Sequence, residues 1–155
     1  MVPQSVTHTL RIEVGNMNKH HESGFSLIEL ILVVAIIGII AAVAVPAFQK
    51  GLTAAENGSS FATLRSISST EVNYFSQNGR FGRLTEIQGV LNNGLGTTVG
   101  DSVIRGKYVF EMNPTTPTDA ELKNEFTITA TRTIAVDITY KYELTHTGEI
   151  VQILP

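Results

Sequence analysis

The chain has 155 residues, a formal net charge of −3, 43% hydrophobic residues and no cysteine. That length suits one modest domain, and the mild acidity excludes a strongly basic face for nucleic acid, so no nucleic-acid partner is expected. The missing cysteines exclude thiol chemistry, disulfide staples and Cys-ligated metals.

The average composition hides two unlike parts. From Phe25 to Val45 only Ser26, Glu29 and Gly38 interrupt an apolar run of 21 residues, and about 20 such residues span a bilayer as a helix. The polar-to-apolar boundary is abrupt at Gly24-Phe25, and no small-residue cleavage pattern of a secretory signal peptide follows before Pro46. Glu29 is the anomaly, because a carboxylate inside a span costs roughly 2.5–3.5 kcal/mol on insertion scales and such residues usually have a partner. If the chain begins at Phe25, Glu29 lies one helical turn from a free α-amine, near the positive end of the helix dipole. The amine of an adjacent copy is the better partner, since that pairing sets the axial stagger between subunits.

Pro46 falls inside the helical pattern, where it removes a backbone hydrogen bond and is expected to kink the helix. Helical character resumes with Phe48, Leu52 and Ala55. Phe61, Leu64, Val72 and Phe75 are then read as the inner face, with Ser68 filling the gap and Glu56, Arg65 and Glu71 lying elsewhere. Gln77-Asn78-Gly79 is a stop signal, so the helix is placed from Phe25 to about Ser76, roughly 78 Å at 1.5 Å per residue. Its first half is apolar all round and its second half amphipathic.

Gly79 to Gly106 reads as a loop region with one short element at Leu84–Ile87, a helical turn or a short strand. Asn92-Asn93-Gly94-Leu95-Gly96 is rich in turn formers. Alternation then marks strands at Tyr108–Met112, Glu125–Thr131, Ile134–Leu144 and Glu149–Ile153, with Thr145-His146-Thr147-Gly148 as a hairpin-like turn. The expected fold class is α+β: a long N-terminal helix packed on an antiparallel sheet of about four strands.

Gly24-Phe25-Ser26-Leu27-Ile28-Glu29-Leu30 and the apolar residues that follow, through Pro46-Ala47-Phe48, resemble the processing and methylation signal of type IV pilins and type II secretion pseudopilins. Asn73-Tyr74-Phe75-Ser76-Gln77-Asn78-Gly79-Arg80-Phe81 is similar, more weakly, to the helix-exit sequence of bacterial pilins. The resemblance implies that a prepilin peptidase cuts between Gly24 and Phe25 and that the new amine of Phe25 is methylated. It implies that Glu29 serves assembly, and it places Pro46 where the family has its proline. It further implies a homo-oligomeric helical filament, other minor pilins, an inner-membrane assembly platform with its ATPase, and no cofactor.

The leader departs from the family's short basic form, since Glu13 and Glu22 stand beside Arg11 and Lys19. Met17 makes a tidier start, so translation is expected to begin there, and residues 1–24 are expected to be absent from the mature chain. The domains then read as leader 1–24, transmembrane and assembly helix 25–52, and globular domain 53–155. The protein is expected as a single-pass inner-membrane precursor and then as a surface or periplasmic filament.

Other chemistry is weighed and set aside. Three histidines, His8, His20 and His21, precede the cut and leave only His146, so a His-based triad or metal site is implausible. Asp119, Glu121 and Glu125 lack the spacing of a calcium loop and read as a solvated face. Gly94–Gly100 has no lysine of a phosphate-cradling loop and reads as a flexible loop. Tyr74, Phe75, Phe81, Tyr108, Phe110, Phe126, Tyr140 and Tyr142 read as packing residues rather than a stacking or electron-hopping set. The triplet Asn57-Gly58-Ser59 fits a glycosylation acceptor but is common by chance. The function expected is a structural subunit of a type IV pilus or related filament, not an enzyme. The alternative is a type II secretion pseudopilin, whose tryptophan and calcium loop are missing here.

Overall fold

The structure, a computed structural model, describes residues 24–135 and 138–154. Two compact units divide between Ala42 and Val43. Helix α1 (Leu27–Asn78) has 52 residues and continues through Pro46. It has the length read from the sequence and lies two residues further along. A short helix α2 (Leu84–Val90) follows, then strands β1 (Thr97–Val99), β2 (Ser102–Arg105), β3 (Tyr108–Met112), β4 (Thr127–Ala135), β5 (Ile138–Thr145) and β6 (Ile150–Leu154). All six form one antiparallel sheet in the order β1-β2-β3-β4-β5-β6.

The sheet therefore has six strands where the alternation gave four. Strands β1 and β2 lie in the tract read as loop, and the reason is their length of 3 and 4 residues. Too few positions alternate there to stand out. Their hairpins carry a signal that was missed: Gly100-Asp101 and Gly106-Lys107 are two-residue loops opened by a glycine at φ +60°, as tight hairpins demand. The long run at Ile134–Leu144 also divides, because β4 continues to Ala135 and pairs with Ile138 of β5. No Gly, Pro or Asn marks that corner in the sequence.

Alternation decides which sheet face is buried. Val103, Phe110, Ala130 and Tyr142 form one cross-strand row, and Met112, Ile128, Leu144 and Ile150 form the next. Both rows pack with Leu64 and Ile67 of α1 and with Leu84 and Ile87 of α2. The aromatic residues behave as packing groups: Phe81 stacks against Phe75 at 4.7 Å and Phe126 at 4.8 Å, and Tyr142 meets the edge of Phe61.

The buried face of α1 corrects the one read from periodicity. It runs Ser60, Thr63, Leu64, Ile67, Thr70 and Glu71, whereas Val72 is 60% exposed. Small hydroxyl side chains let the helix approach the sheet closely, so apolarity alone misplaced the face by about one residue. Leu84–Val90 resolves as a helix, with Glu86 Oε2 accepting the N–H of Arg83 at 2.7 Å.

Candidate functional site: the N-terminal motif and the helix exit

The first unit's described part is apolar helix preceded by three non-helical residues. Gly24 and Phe25 lie outside α1 and are exposed, Phe25 by 86%. Ser26 stands at the N-cap position, where its carbonyl accepts the N–H groups of Glu29 at 3.1 Å and Leu30 at 3.2 Å. Glu29 Oε2 in turn accepts the Ser26 backbone N–H at 2.9 Å. This is the glutamate half of a capping box, and it satisfies one of the donors that every helix start leaves open. The Ser-x-x-Glu spacing of residues 26–29 carries this cap in the sequence itself. Glu29 thus has an internal partner within the chain itself.

Every residue from Gly24 to Leu52 is exposed. Among them, 14 large apolar side chains between Phe25 and Val45 have no cover. At roughly 1.5–3 kcal/mol for each one removed from water, covering them is worth about 20–40 kcal/mol. A contiguous apolar surface of that size marks a site of protein–protein or membrane contact. Pro46 sits within α1 one residue beyond this run.

A second polar constellation fixes the exit of α1. Glu86 accepts from Arg80 Nη2 at 2.7 Å, Arg80 Nη1 at 2.9 Å and the Tyr74 hydroxyl at 3.0 Å. The paired Arg80 guanidinium, helped by the Arg83 N–H, holds the Glu86 carboxyl down at about 2. Arg83 Nη2 reaches Asp119 Oδ1 at 2.6 Å, which ties the exit loop to the turn before the 3₁₀ helix Glu121–Lys123. Asp119 therefore serves an ion pair. Glu121 accepts both the N–H and the hydroxyl of Thr118, and these bonds lower its pKa. Among the described residues no cluster of His, Asp and Glu forms a metal site.

Glu71 lies under this loop with 0% exposure. Its Oε2 accepts the Gly82 N–H at 2.7 Å, while Oε1 has no partner. Burial pushes its carboxyl up to about 8, against the lowering effect of that bond. At neutral pH Glu71 is thus a neutral acid in the core. The sequence reading placed it outside the buried face, because a charged residue type argues for solvent.

The arrangement defines a class before any comparison: an uncovered apolar helix whose start carries a capped carboxylate, continued into a small α+β domain. That helix is long and apolar enough to cross a membrane. Residues 19–45 match the family model of the prokaryotic N-terminal methylation motif. A fimbrial protein of Moraxella nonliquefaciens is 38% identical over 102 residues, covering 61% of this chain and 58% of that protein. A type IV major pilin protein of Neisseria gonorrhoeae is 34% identical over 91 residues, with 59% and 51% covered. One from Myxococcus xanthus is 40% identical over 58 residues, with 37% and 26% covered. The chain thus spans little more than half the length of the first two relatives it matches. In motif and in sequence the chain is thus similar to type IV pilins.

Proposed function

We propose that this chain is a structural subunit of a type IV pilus or pilus-like filament and has no enzymatic role. In this reading a prepilin peptidase removes the residues up to Gly24, the amine of Phe25 is methylated, and the segment 25–52 is the membrane and assembly helix. The observation that carries it is the wholly exposed apolar helix directly behind the Gly24-Phe25 motif. Before assembly, lipid of the inner membrane covers that helix. In the filament, the helices of other copies do.

Moving an apolar helix from lipid to a helical bundle changes its hydrophobic energy little, because lipid tails are as apolar as leucine. Extraction from the membrane must therefore be driven, which is the role assigned to an assembly platform and its ATPase. Glu29 supplies what the apolar residues lack, a directional contact. Its carboxylate exchanges the Ser26 N–H for the amine of Phe25 on an adjacent copy, and this fixes the register. Pro46 is assigned a kink that lets the helices curve in the bundle. Minor pilins are assigned to the same filament.

The test is the mature N-terminus, read by mass spectrometry on sheared surface material and on membranes. A chain that begins at methylated Phe25 and is abundant in the sheared fraction is expected. Processed chain confined to membranes would point to a secretion pseudopilin or minor subunit instead. An intact Ser23-Gly24 bond in both fractions, with the peptidase present, would refute the reading.

A further inference from the structure

An open cavity of about 750 Å³ lies in the sheet-bearing unit, between the start of its helix and the sheet. Its polar lining is unusual for a chain of net charge −3: Gln49, Lys50 and Asn57 come from α1, and Lys107, Arg132 and Tyr140 come from the sheet side. Arg132 is 3% exposed and pairs through Nη2 with Glu56 Oε2. Among the described residues its Nε and Nη1 are buried without a partner, so three of the five N–H donors of this guanidinium have no acceptor there. Glu56 is shared, because its Oε1 also lies 3.4 Å from Lys107 Nζ. Lys50 makes no ion pair among the described residues. Asn57 Oδ1 accepts the Tyr108 hydroxyl at 2.7 Å, which leaves its amide N–H groups as donors.

Three cationic side chains thus line the cavity, while Glu56, the acid that two of them share, is not among its lining residues; an excess of positive charge in a concave site calls for an anion with several acceptor oxygens. A bare carboxylate is small for the space. The walls also include Pro46, Leu52 and Ala54, which suit the carbon frame of an ester. The helix residues that line the cavity begin at Pro46, directly after the apolar run that ends at Val45. In a chain anchored through that run, they occupy the level of the lipid headgroups, where each basic residue near the surface adds to the attraction for anionic lipid.

We propose that this cavity binds the phosphate of an anionic phospholipid headgroup while the subunit waits in the membrane. The inference rests on reading Phe25–Val45 as a membrane span. The full chain is placed in phosphatidylcholine bicelles, phosphatidylglycerol is titrated in, and the Nε–H resonance of Arg132 is followed by NMR. A saturable shift is expected, with half-saturation raised about fivefold by Lys50→Gln and again by Lys107→Gln. Both lysines are exposed, so these variants fold even if Arg132→Gln does not. Inorganic phosphate is expected to produce the same shift only at far higher concentration. If it does so at equal concentration, the lipid source is overturned and the phosphate chemistry stands. Flotation with vesicles separates the two readings. A chain that fails to float overturns the membrane span, and a chain that floats but shows no saturable shift, or one indifferent to both lysine variants, overturns the site.

Discussion

Replacing Glu71 by glutamine keeps the shape of a neutral carboxyl and removes its ionisation. In the folded chain this group titrates near 8 rather than its ordinary 4.5, because it is buried. Below pH 4.5 it is protonated in folded and unfolded chains alike, so it adds no pH dependence. Between 4.5 and 8 the unfolded chain has lost that proton and the folded chain keeps it, so stability falls as pH rises. Each unit of pH costs about 1.4 kcal/mol over that window, which amounts to roughly 5 kcal/mol above pH 8. Glu71→Gln is therefore expected to match the parent near pH 4.5 and to exceed it by several kcal/mol at pH 9. The assay is guanidinium unfolding of the detergent-solubilised full chain, followed by near-ultraviolet circular dichroism at a series of pH values. Equal pH slopes in the two proteins, or a variant weaker than the parent at pH 9, would refute the assignment of Glu71 as a neutral buried acid.

Glu86→Gln removes the partner of Arg80, and a loss of roughly 2 kcal/mol at pH 7 is expected from its charged hydrogen bonds. Because Arg80 holds the folded pKa of Glu86 near 2, this contribution is present above about 4.5 and fades as pH falls toward 2; the same unfolding assay at low pH should show the two proteins converging. Gly96 has φ +154°, and a Cβ there would collide with the Ile104 carbonyl oxygen, so Gly96→Ala is expected to destabilise the β1–β2 end of the sheet by roughly 1–3 kcal/mol, read as faster amide exchange there. Glu29→Gln is expected to leave the fold and the Phe25 N-terminus intact while filament yield in the sheared fraction falls at least tenfold; unchanged yield would remove Glu29 from the register contact.

The sequence was most legible where one physical demand acts on many consecutive residues. The long apolar run, the stop at Asn78-Gly79 and the alternation of Tyr108–Met112 each repeat their signal over several positions. It was least legible where a few residues act across the fold. Glu71 looks like a surface residue until the backbone of Gly82 is seen folded over it. Thr63 and Thr70 look polar until their small size lets the helix sit close to the sheet. The basic pocket draws on residues 50, 107 and 132, and no local pattern links positions so far apart. At the N-terminus the local rule is in the sequence, since Ser26 and Glu29 have capping-box spacing.

The unbroken strand order has a consequence for the export proposed for this chain. Each strand pairs with the one before it, so no part of the sheet waits for a strand made much later. A hairpin closes in about 1–10 μs, whereas a growing chain lengthens by only about 5–20 residues per second. If export keeps pace with synthesis, every strand finds its partner already in place as it emerges. Folding can then proceed vectorially outward from the anchored helix, with one open strand edge at the growing end at any moment. Only when Ile150–Leu154 arrives does that edge become permanent.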